Sequence, residues 1–211
     1  PLSVGETAGR IVDKSSALQA IDGYAFYLIA TSRLEFQVDN GSQVNSGNNT
    51  IKFNTWQHVV ASVAPNAVVT LYINGVQKGT PASTGALSGI ATTTPLTIGN
   101  ASNLTSRTFD GLIDDVRIYN RALGAAEVRA LYNTGAVKYT PPNNLGLVGY
   151  WSFNEGTTTT ALDYSGNKNK GTLVNGPVWT NGKLGKALSF DGSNDFVNVG
   201  NPTSLTLGTS D

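Results

Sequence analysis

The chain has 211 residues, of which 24 are glycine and 13% are charged, and its formal net charge is zero. This composition favours short β-strands joined by tight turns and argues against a helical bundle. No basic cluster exceeds two residues, so the electrostatic footprint of a nucleic-acid-binding protein is absent. No run of about 18 apolar residues is present to cross a membrane. The absence of cysteine excludes disulfides and thiolate metal sites.

The first part of the chain reads as a series of short strands. RIVDK, YAFYLIA and RLEFQV are rich in β-branched and aromatic residues, and the last of them alternates apolar and polar positions. A hairpin is predicted next, from WQHVVASV through Pro65-Asn66 to VVTLYING, which ends in the turn dipeptide Asn74-Gly75. Polar loops are expected over residues 42–50 and 78–94, where they would form a binding rim.

Two acids interrupt an apolar strand in the segment FDGLIDDVRIY. Asp114, Asp115 and Arg117 alternate with β-branched and aromatic residues over residues 112–119. Carboxylates in a strand of this kind must be paired, hydrogen-bonded or bound to a metal. A specific role is therefore expected for these acids.

A short amphipathic helix is predicted directly after this strand. Gly124 falls at its N-cap, Glu127 follows three residues later, and Leu123 can pack on Val128 across the cap. Gly135 is expected to end the helix. The helix should therefore lie as a lid on the edge of a β-sandwich.

A second set of strands follows a segment with two consecutive prolines. The prolines cannot join the interior of a sheet, so residues 136–146 are interpreted as a linker. Beyond it lie the strand candidates LVGYWSF, GTLVNG, VWTNG and ALSFDGSNDFVNV, the last of which reads as two strands around a polar turn.

These motifs resemble those of laminin G-like modules in the concanavalin A-like lectin/glucanase superfamily, which occur in large bacterial surface proteins. The resemblance is carried by FDGLIDDVRIYNRALGAAEVRALY, NTWQHVVASV and TLYINGV, and GLVGYWSFNEG through FDGSNDFVNV is similar to the opening of the same module. In the family that opening comes first. The chain would therefore carry the back of a module in residues 1–135 and the front of a module in residues 147–211.

The resemblance implies an all-β fold, a two-sheet antiparallel jelly-roll sandwich with one short helix. With the two segments in reverse order, the sandwich is either a circular permutant closed within one chain or a domain-swapped assembly of copies. Closure within the chain is the favoured alternative, because an isolated half would expose an apolar face and long strand edges. The family pattern also has a further central strand that is not visible here.

A structural calcium ion is one hypothesis for the acids. Asp191 and Asp195 flank the turn DGSND, and Asp115 or Asp114 would supply a third carboxylate if the first and last strands are neighbours. The resemblance points the same way, since modules of this kind often hold calcium near these strands. In the alternative interpretation, the acids cap turns and Asp115 pairs with Arg117, Arg121 or a buried backbone amide.

Sugar binding requires flat aromatic surface beside polar groups. Trp179 and Tyr164 fall in loop-like sequence and are the candidate ligand-binding residues, although core packing is the commoner role of aromatic residues in a sandwich. Trp56 and Trp151 are expected in strands and therefore in the core.

Catalysis is not expected. Glucanases of this fold carry a Glu-x-Asp-x-x-Glu strand, whereas the acids of IDDVRIY are adjacent and point to opposite sides of a strand. The single histidine, His58, has apolar neighbours and is interpreted as a polar strand residue. No nucleophile motif or phosphate-binding loop is recognisable.

The sequence and the resemblance together predict a non-catalytic carbohydrate-binding or adhesion module at the bacterial cell surface. Its expected partners are a glycan or another surface protein, neighbouring modules of the same protein, and a second copy if the segments are exchanged. Nucleic acid and membrane insertion are not expected. The alternative is a structural spacer without a ligand, and a glycoside hydrolase is the least favoured function.

Overall fold

The computed structural model describes residues 8–16, 23–38, 43–84, 93–101, 107–134 and 145–206. Within these ranges it is, as predicted, an all-β protein with one α-helix, α1 (Ala125–Thr134); a short 3-10 helix (Thr203–Leu205) was not predicted. The strands are β1 (Ala8–Ser15), β2 (Gly23–Ile29), β3 (Arg33–Val38), β4 (Val44–Asn45), β5 (Val59–Val63), β6 (Val68–Ile73), β7 (Val76–Ser83), β8 (Leu96–Ile98), β9 (Asp110–Ile113), β10 (Val116–Tyr119), β11 (Leu147–Trp151), β12 (Thr160–Ala161), β13 (Gly171–Val174), β14 (Val178–Asn181), β15 (Lys186–Asp191) and β16 (Phe196–Gly200).

The strands form one large sheet and three small ones, all antiparallel. The large sheet has eight strands in the order β12-β13-β16-β8-β1-β2-β3-β4, and the small sheets are β5-β6-β7, β10-β11 and β14-β15-β9. Apolar side chains from the large sheet and from each small sheet meet in one core; these include Phe26, Phe36, Ile98, Val197, Leu71, Val116, Trp151, Leu188 and Phe190. The architecture is therefore a β-sandwich with a shared interior.

The segment that begins at residue 145 contributes strands to three of the four sheets. β16 lies between β13 and β8 in the large sheet, with Val197 opposite Ile98. β15 pairs with β9 and β11 pairs with β10. Strands that precede residue 120 thus share sheets with strands that follow residue 145. Most of the predicted linker, residues 136–144, lies outside the described residues.

Trp151 fixes the position of β11 in the core. Its side chain is fully buried, and its indole N–H donates to the carbonyl oxygen of Asn169 at 2.8 Å. A Cβ atom on Gly149 would lie 2.5 Å from the Trp151 ring, so only glycine leaves room for the indole at that position. The prediction that Trp151 belongs to the core is confirmed.

The predicted hairpin is present, but its first strand is shorter than expected. Asn74 and Gly75 both have positive φ values, 53° and 75°, as a two-residue turn of type I′ requires. β5 begins at Val59, so Trp56 lies in the preceding loop and is 36% exposed. The placement of Trp56 in a core strand was wrong. The loop is instead held by two hydrogen bonds between Gln57 and Lys52.

The predicted loop over residues 78–94 is in part a strand. β7 continues the hairpin from the Asn74-Gly75 turn and pairs with β6 up to Ser83. Its register shifts between Leu71 and Val69 of β6, and Pro81 falls in the shifted part of β7 on the edge of the sheet, where proline is tolerated. Residues 85–92 lie outside the described part of the chain.

The helix begins as predicted. The backbone N–H of Gly124 donates to Glu127 Oε2 at 2.8 Å, which is one half of a capping box. Leu123, Val128 and Leu131 pack together against Tyr72 of β6. The helix therefore lies on the β5-β6-β7 sheet. Within the described residues, no helix is long and apolar enough to span a membrane.

Candidate functional site

Asp191 and Asp195, two of the three predicted calcium ligands, lie together at the turn between β15 and β16. The backbone N–H of Asp191 donates to Asp195 Oδ2 at 3.2 Å, and Asp191 Oδ1 accepts from the backbone of Ser193 at 2.8 Å. Asp195 is buried, which raises its pKa, and the charge of Asp191 raises this pKa further. The turn thus concentrates negative charge.

Asp110, which the sequence analysis did not consider, lies beside this turn. Asp110 is the cross-strand partner of Asp191, and a Cβ atom on Gly192 would lie 2.9 Å from Asp110 Cβ. Asp115 follows the other end of β9, where Ile113 pairs with Leu188. The structure therefore does not bring Asp115 to Asp191 and Asp195. The register between β9 and β15 determines which acid lies beside Asp191, and no local sequence signal specifies that register.

In the described part of the chain, no group of three or more His, Asp or Glu side chains is arranged to hold a metal ion. A calcium ion at this turn would need backbone carbonyl oxygens and water to complete the ligands of Asp191 and Asp195. Calcium therefore stays a prediction.

Calcium binding at the DGSND turn predicts that a chelator lowers the melting temperature, because an ion bound only by the folded state stabilises it. The Asp191→Ala variant should lose this sensitivity, whereas Asp163→Ala should keep it. Differential scanning calorimetry with calcium and with EDTA measures both. An unchanged melting temperature of the wild-type protein in EDTA would count against the ion.

Asp114 connects the end of β9 to the turn between β14 and β15. Its Oδ2 atom accepts hydrogen bonds from the backbone N–H groups of Lys183 at 3.0 Å and Leu184 at 3.3 Å. Burial raises the pKa of Asp114 to about 6, and the charge of Asp115 contributes in the same direction. Asp114 therefore joins two parts of the structure through its hydrogen bonds. Its raised pKa means that ionisation of the carboxyl group lowers the stability of the folded state.

Asp114→Asn keeps an acceptor for the two backbone amides and removes the charge. The pKa of Asp114 rises from 3.8 to about 6 on folding, so its ionisation lowers the free energy of unfolding as pH rises through this interval. We expect Asp114→Asn to be more stable than the wild type by on the order of 1 kcal/mol at pH 7.5, and equally stable below pH 4. Urea denaturation at both pH values measures the difference. A difference that is the same at both values would show that ionisation is not its cause.

Asp115, Arg117, Tyr150 and Tyr164 form a surface that we call the aromatic-ionic cluster. Arg117 and Tyr150 are cross-strand partners on β10 and β11, and the guanidinium carbon lies 4.6 Å from the centre of the Tyr150 ring. Arg117 Nη2 is 3.3 Å from Asp115 Oδ1. The rings of Tyr150 and Tyr164 meet edge to face, with their centres 6.2 Å apart. Tyr164 is the most exposed member, at 54%.

The loop that presents Tyr164 is held by the side chain of Asp163. Asp163 Oδ1 accepts from the backbone N–H groups of Tyr150 and Ser165, and its Oδ2 accepts from that of Asn169. The backbone N–H of Tyr164 also donates to the carbonyl oxygen of Tyr150 at 2.8 Å. These hydrogen bonds hold the backbone on both sides of Tyr164, and the contact with the Tyr150 ring orients its side chain.

The charges in and around the cluster are balanced. The ion pair of Asp115 and Arg117 has side chains that are 25% and 14% exposed. Burial raises the pKa of Tyr164, and Glu155 raises it further, so its hydroxyl stays protonated near neutral pH. Burial lowers the pKa of His58; Arg117 lowers it further and Asp115 opposes this. The cluster thus offers an aromatic face, hydrogen-bond donors and acceptors, and little net charge.

Trp179, the other predicted ligand-binding residue, lies on the core side of β14. It is the cross-strand partner of Leu188, and its ring packs against the main core. The indole N–H donates to the carbonyl oxygen of Thr158 at 2.7 Å. The half-buried Trp179 therefore has packing and hydrogen-bonding partners within the fold, in contrast to Tyr164.

A second charged group lies on the side of the large sheet that faces away from the core. The Arg10 guanidinium is 4.1 Å from the centre of the Tyr27 ring and pairs with Asp13, and Arg33 pairs with Glu35. Burial raises the pKa of Asp13 to about 6, although Arg10 opposes this. The alternation in RLEFQV places Glu35 on this side, but the sequence analysis gave it no role. Arg10, Asp13, Tyr27 and Glu35 are all at most 4% exposed, so no ligand reaches them in this conformation.

Comparisons with known proteins identify the fold. Residues 1–129 match a family model described as the concanavalin A-like lectin/glucanases superfamily. A crystal structure of a candidate carbohydrate binding protein from Bacteroides ovatus is similar at 15% identity and a TM-score of 0.54, over 82% of this chain and 54% of that one. The chain thus spans about half the length of that structure.

An S-layer domain-containing protein from Clostridium thermocellum matches at 23% identity and a TM-score of 0.33, over 63% of this chain and 65% of that one. Among curated proteins, no sequence matches the chain significantly.

Proposed function

Since the chain belongs to the concanavalin A-like lectin/glucanase superfamily, we propose that it is a non-catalytic carbohydrate-binding module of a bacterial surface protein. The observation that carries this proposal is the exposed Tyr164 ring, which a hydrogen-bonded loop holds beside the ion pair of Asp115 and Arg117. An aromatic face next to fixed polar groups is the arrangement that a sugar ring requires, because one side of the sugar is apolar and its edge carries hydroxyl groups.

Each part of the aromatic-ionic cluster has a role in this proposal. The sugar ring packs on Tyr164, and Arg117 donates to its hydroxyl oxygens while Asp115 accepts from its hydroxyl groups. Tyr150 contacts both the Arg117 guanidinium and the Tyr164 ring. The fixed loop lowers the entropic cost of binding, since the site is ordered in advance.

The ion pairs and hydrogen bonds of four acidic residues support a non-catalytic module. Glycoside hydrolysis requires a general acid and a second carboxylate, about 5 to 10 Å apart across the substrate. Asp115 is paired with Arg117, and Asp114 is bonded to two backbone amides. On the side of the large sheet that faces away from the core, Asp13 is paired with Arg10 and Glu35 with Arg33. None of these four acids is a free carboxylate on an accessible surface.

The similar fold of the Bacteroides ovatus carbohydrate binding candidate supports a glycan as the partner. A bacterial cell-surface location and adhesion to glycans or other surface proteins follow from this proposal. A spacer without any ligand is the competing function.

A glycan array with the full chain tests the proposal. We expect specific binding that falls at least tenfold in Tyr164→Ala, because ring stacking is lost, and is largely kept in Tyr164→Phe. Val178→Ser, which changes another exposed apolar residue, should bind like the wild type. The absence of any specific glycan would favour the spacer, and turnover of a β-glucan that is lost in Asp115→Asn would establish an enzyme.

We also propose that the two segments form one circularly permuted sandwich, closed within a single chain. The ladders β8-β16, β9-β15 and β10-β11 support closure, because each joins a strand of the first segment to a strand of the second. Without the second segment, β8 and β9 would each lose a neighbour and the core would lose Trp151 and Phe190. Exchange of the same strands between copies is the alternative.

Closure predicts a monomer of 22.1 kDa by light scattering at all concentrations tested. A protease site placed within residues 136–144, once cut, should leave two pieces that stay together in buffer and separate in denaturant. A ladder of multimers that grows with concentration would instead establish exchange between copies. Pieces that separate in buffer would show that the ladders do not hold the segments together.

A further inference from the structure

The two parts of the aromatic-ionic cluster come from different segments of the chain. Asp115 and Arg117 precede the linker, in the turn before β10 and on β10 itself, and their ion pair lies entirely within the first segment. Tyr150 and Tyr164 follow the linker, on β11 and in the loop between β12 and β13. The surface that the proposed function assigns to a sugar is therefore divided between residues 1–135 and residues 147–211.

One pair of strands brings the two parts together. Arg117 and Tyr150 are cross-strand partners in the β10-β11 ladder, and the guanidinium carbon lies 4.6 Å from the centre of the Tyr150 ring. The Tyr164 ring contacts the same Tyr150 ring. The neighbouring pair of this ladder is Val116 with Trp151, and both of these side chains belong to the core. Tyr150 and Arg117 thus meet through the same strand pairing that completes the core.

Contacts across the junction hold β10 at both of its ends. At its start, Asp114 Oδ2 accepts from the backbone N–H of Lys183 at 3.0 Å. At its end, the backbone N–H of Asn120 donates at 2.8 Å to the carbonyl oxygen of Gly146, directly before β11. Asp114 is followed at once by Asp115, so the contact with Lys183 also holds the backbone that carries the ion pair.

The loop that carries Tyr164 is anchored to the second segment. Asp163 accepts hydrogen bonds from the backbone N–H groups of Tyr150 and Asn169. Asn169 Nδ2 donates to the carbonyl oxygen of Val148 on β11 at 2.9 Å. The second segment therefore contributes an ordered aromatic face, and the first segment contributes the ion pair beside it.

We propose that the carbohydrate site is assembled at the junction of the two segments, so that sugar binding and the pairing of β10 with β11 stabilise each other. This inference rests on the proposed carbohydrate-binding function. A sugar that contacts both the ion pair and the Tyr164 ring binds the joined form. By thermodynamic linkage, it strengthens segment pairing by the same factor by which pairing strengthens sugar binding. If copies of the chain exchanged segments, each site would contain residues from two copies.

The experiment asks whether two different molecules can supply the two parts of the site. Arg117→Met changes the first segment and keeps an unbranched side chain beside Tyr150, and Tyr164→Ala changes the second segment. Each full-length variant carries a protease site within residues 136–144. On an array of neutral gluco-, manno-, galacto- and xylo-oligosaccharides, we expect each variant alone to bind at least tenfold more weakly than the wild type.

The two variants are then mixed, cut, unfolded in urea and refolded together. Random reassortment joins two unchanged segments in about a quarter of the molecules, so about a quarter of the wild-type binding capacity should return, at wild-type affinity. The uncut mixture, treated in the same way, should not recover, because a chain closed on itself keeps its own substitution. Cut and refolded wild-type protein sets the full capacity.

Mutual stabilisation is measured on the cut wild-type protein. With the oligosaccharide that binds best on the array, its two pieces should separate at a higher urea concentration than without it. The pieces of cut Arg117→Met should separate at the same urea concentration with and without the sugar. An unchanged wild-type value would overturn the coupling.

The outcomes separate this proposal from the proposed function. If Arg117→Met binds like the wild type, or if the cut mixture recovers nothing while cut wild-type protein refolds and binds, the shared site is overturned, and the loss of binding in Tyr164→Ala still supports the proposed function. If no oligosaccharide binds the wild type, or if Tyr164→Ala binds normally, the proposed function fails and the shared site fails with it.

Recovery in the uncut mixture would support the shared site and would replace closure with exchange between copies. If the cut wild-type protein does not refold, co-expression of the two pieces in all four wild-type and variant combinations gives the same comparison. Binding should then appear only in the combination of two wild-type pieces, and equal binding with the Arg117→Met piece would overturn the proposal.

Discussion

The fold depends on antiparallel pairing between strands that are far apart in the chain. β16 enters the large sheet beside β8, β15 lies beside β9, and β11 lies beside β10. These ladders bring Trp151, Phe190 and Val197 into the same core as Phe26 and Phe36. Because the interior is shared, neither segment can bury its apolar residues alone. The positions of Asp110, Asp114 and the aromatic-ionic cluster all follow from the registers of these ladders.

Local features were predictable from the sequence, and features that depend on register were not. The Asn74-Gly75 turn and the Gly124 cap were predicted, because a few neighbouring residues determine each of them. The superfamily was recognised from motifs, and the family match over residues 1–129 confirms it. In contrast, the opposition of Asp110 to Asp191 depends on a register between distant strands, and Trp56 is exposed because β5 begins only at Val59.

Neighbouring acids have different roles because the backbone turns between them. Asp114 points to the turn at Lys183 and bonds its amides, whereas Asp115 has a left-handed φ of 59° and pairs with Arg117 on β10. The dipeptide thus serves two sides of the sandwich: one acid joins the two segments, and the other shapes the candidate binding surface. The sequence predicts one strand over residues 112–119, whereas the structure places both aspartates between β9 and β10, which belong to different sheets, so the two roles could not be distinguished from the sequence.

The aromatic residues show which parts of the surface are used for more than stability. Trp151 is completely buried and Trp179 packs on the core, so folding accounts for both. Tyr164 and Trp56 are more exposed. Each lies on a loop that side-chain hydrogen bonds hold in shape, through Asp163 in one case and Gln57 in the other. Their exposure on ordered loops is what the proposed carbohydrate-binding function requires, because a sugar ring would pack on an aromatic face that is already in position.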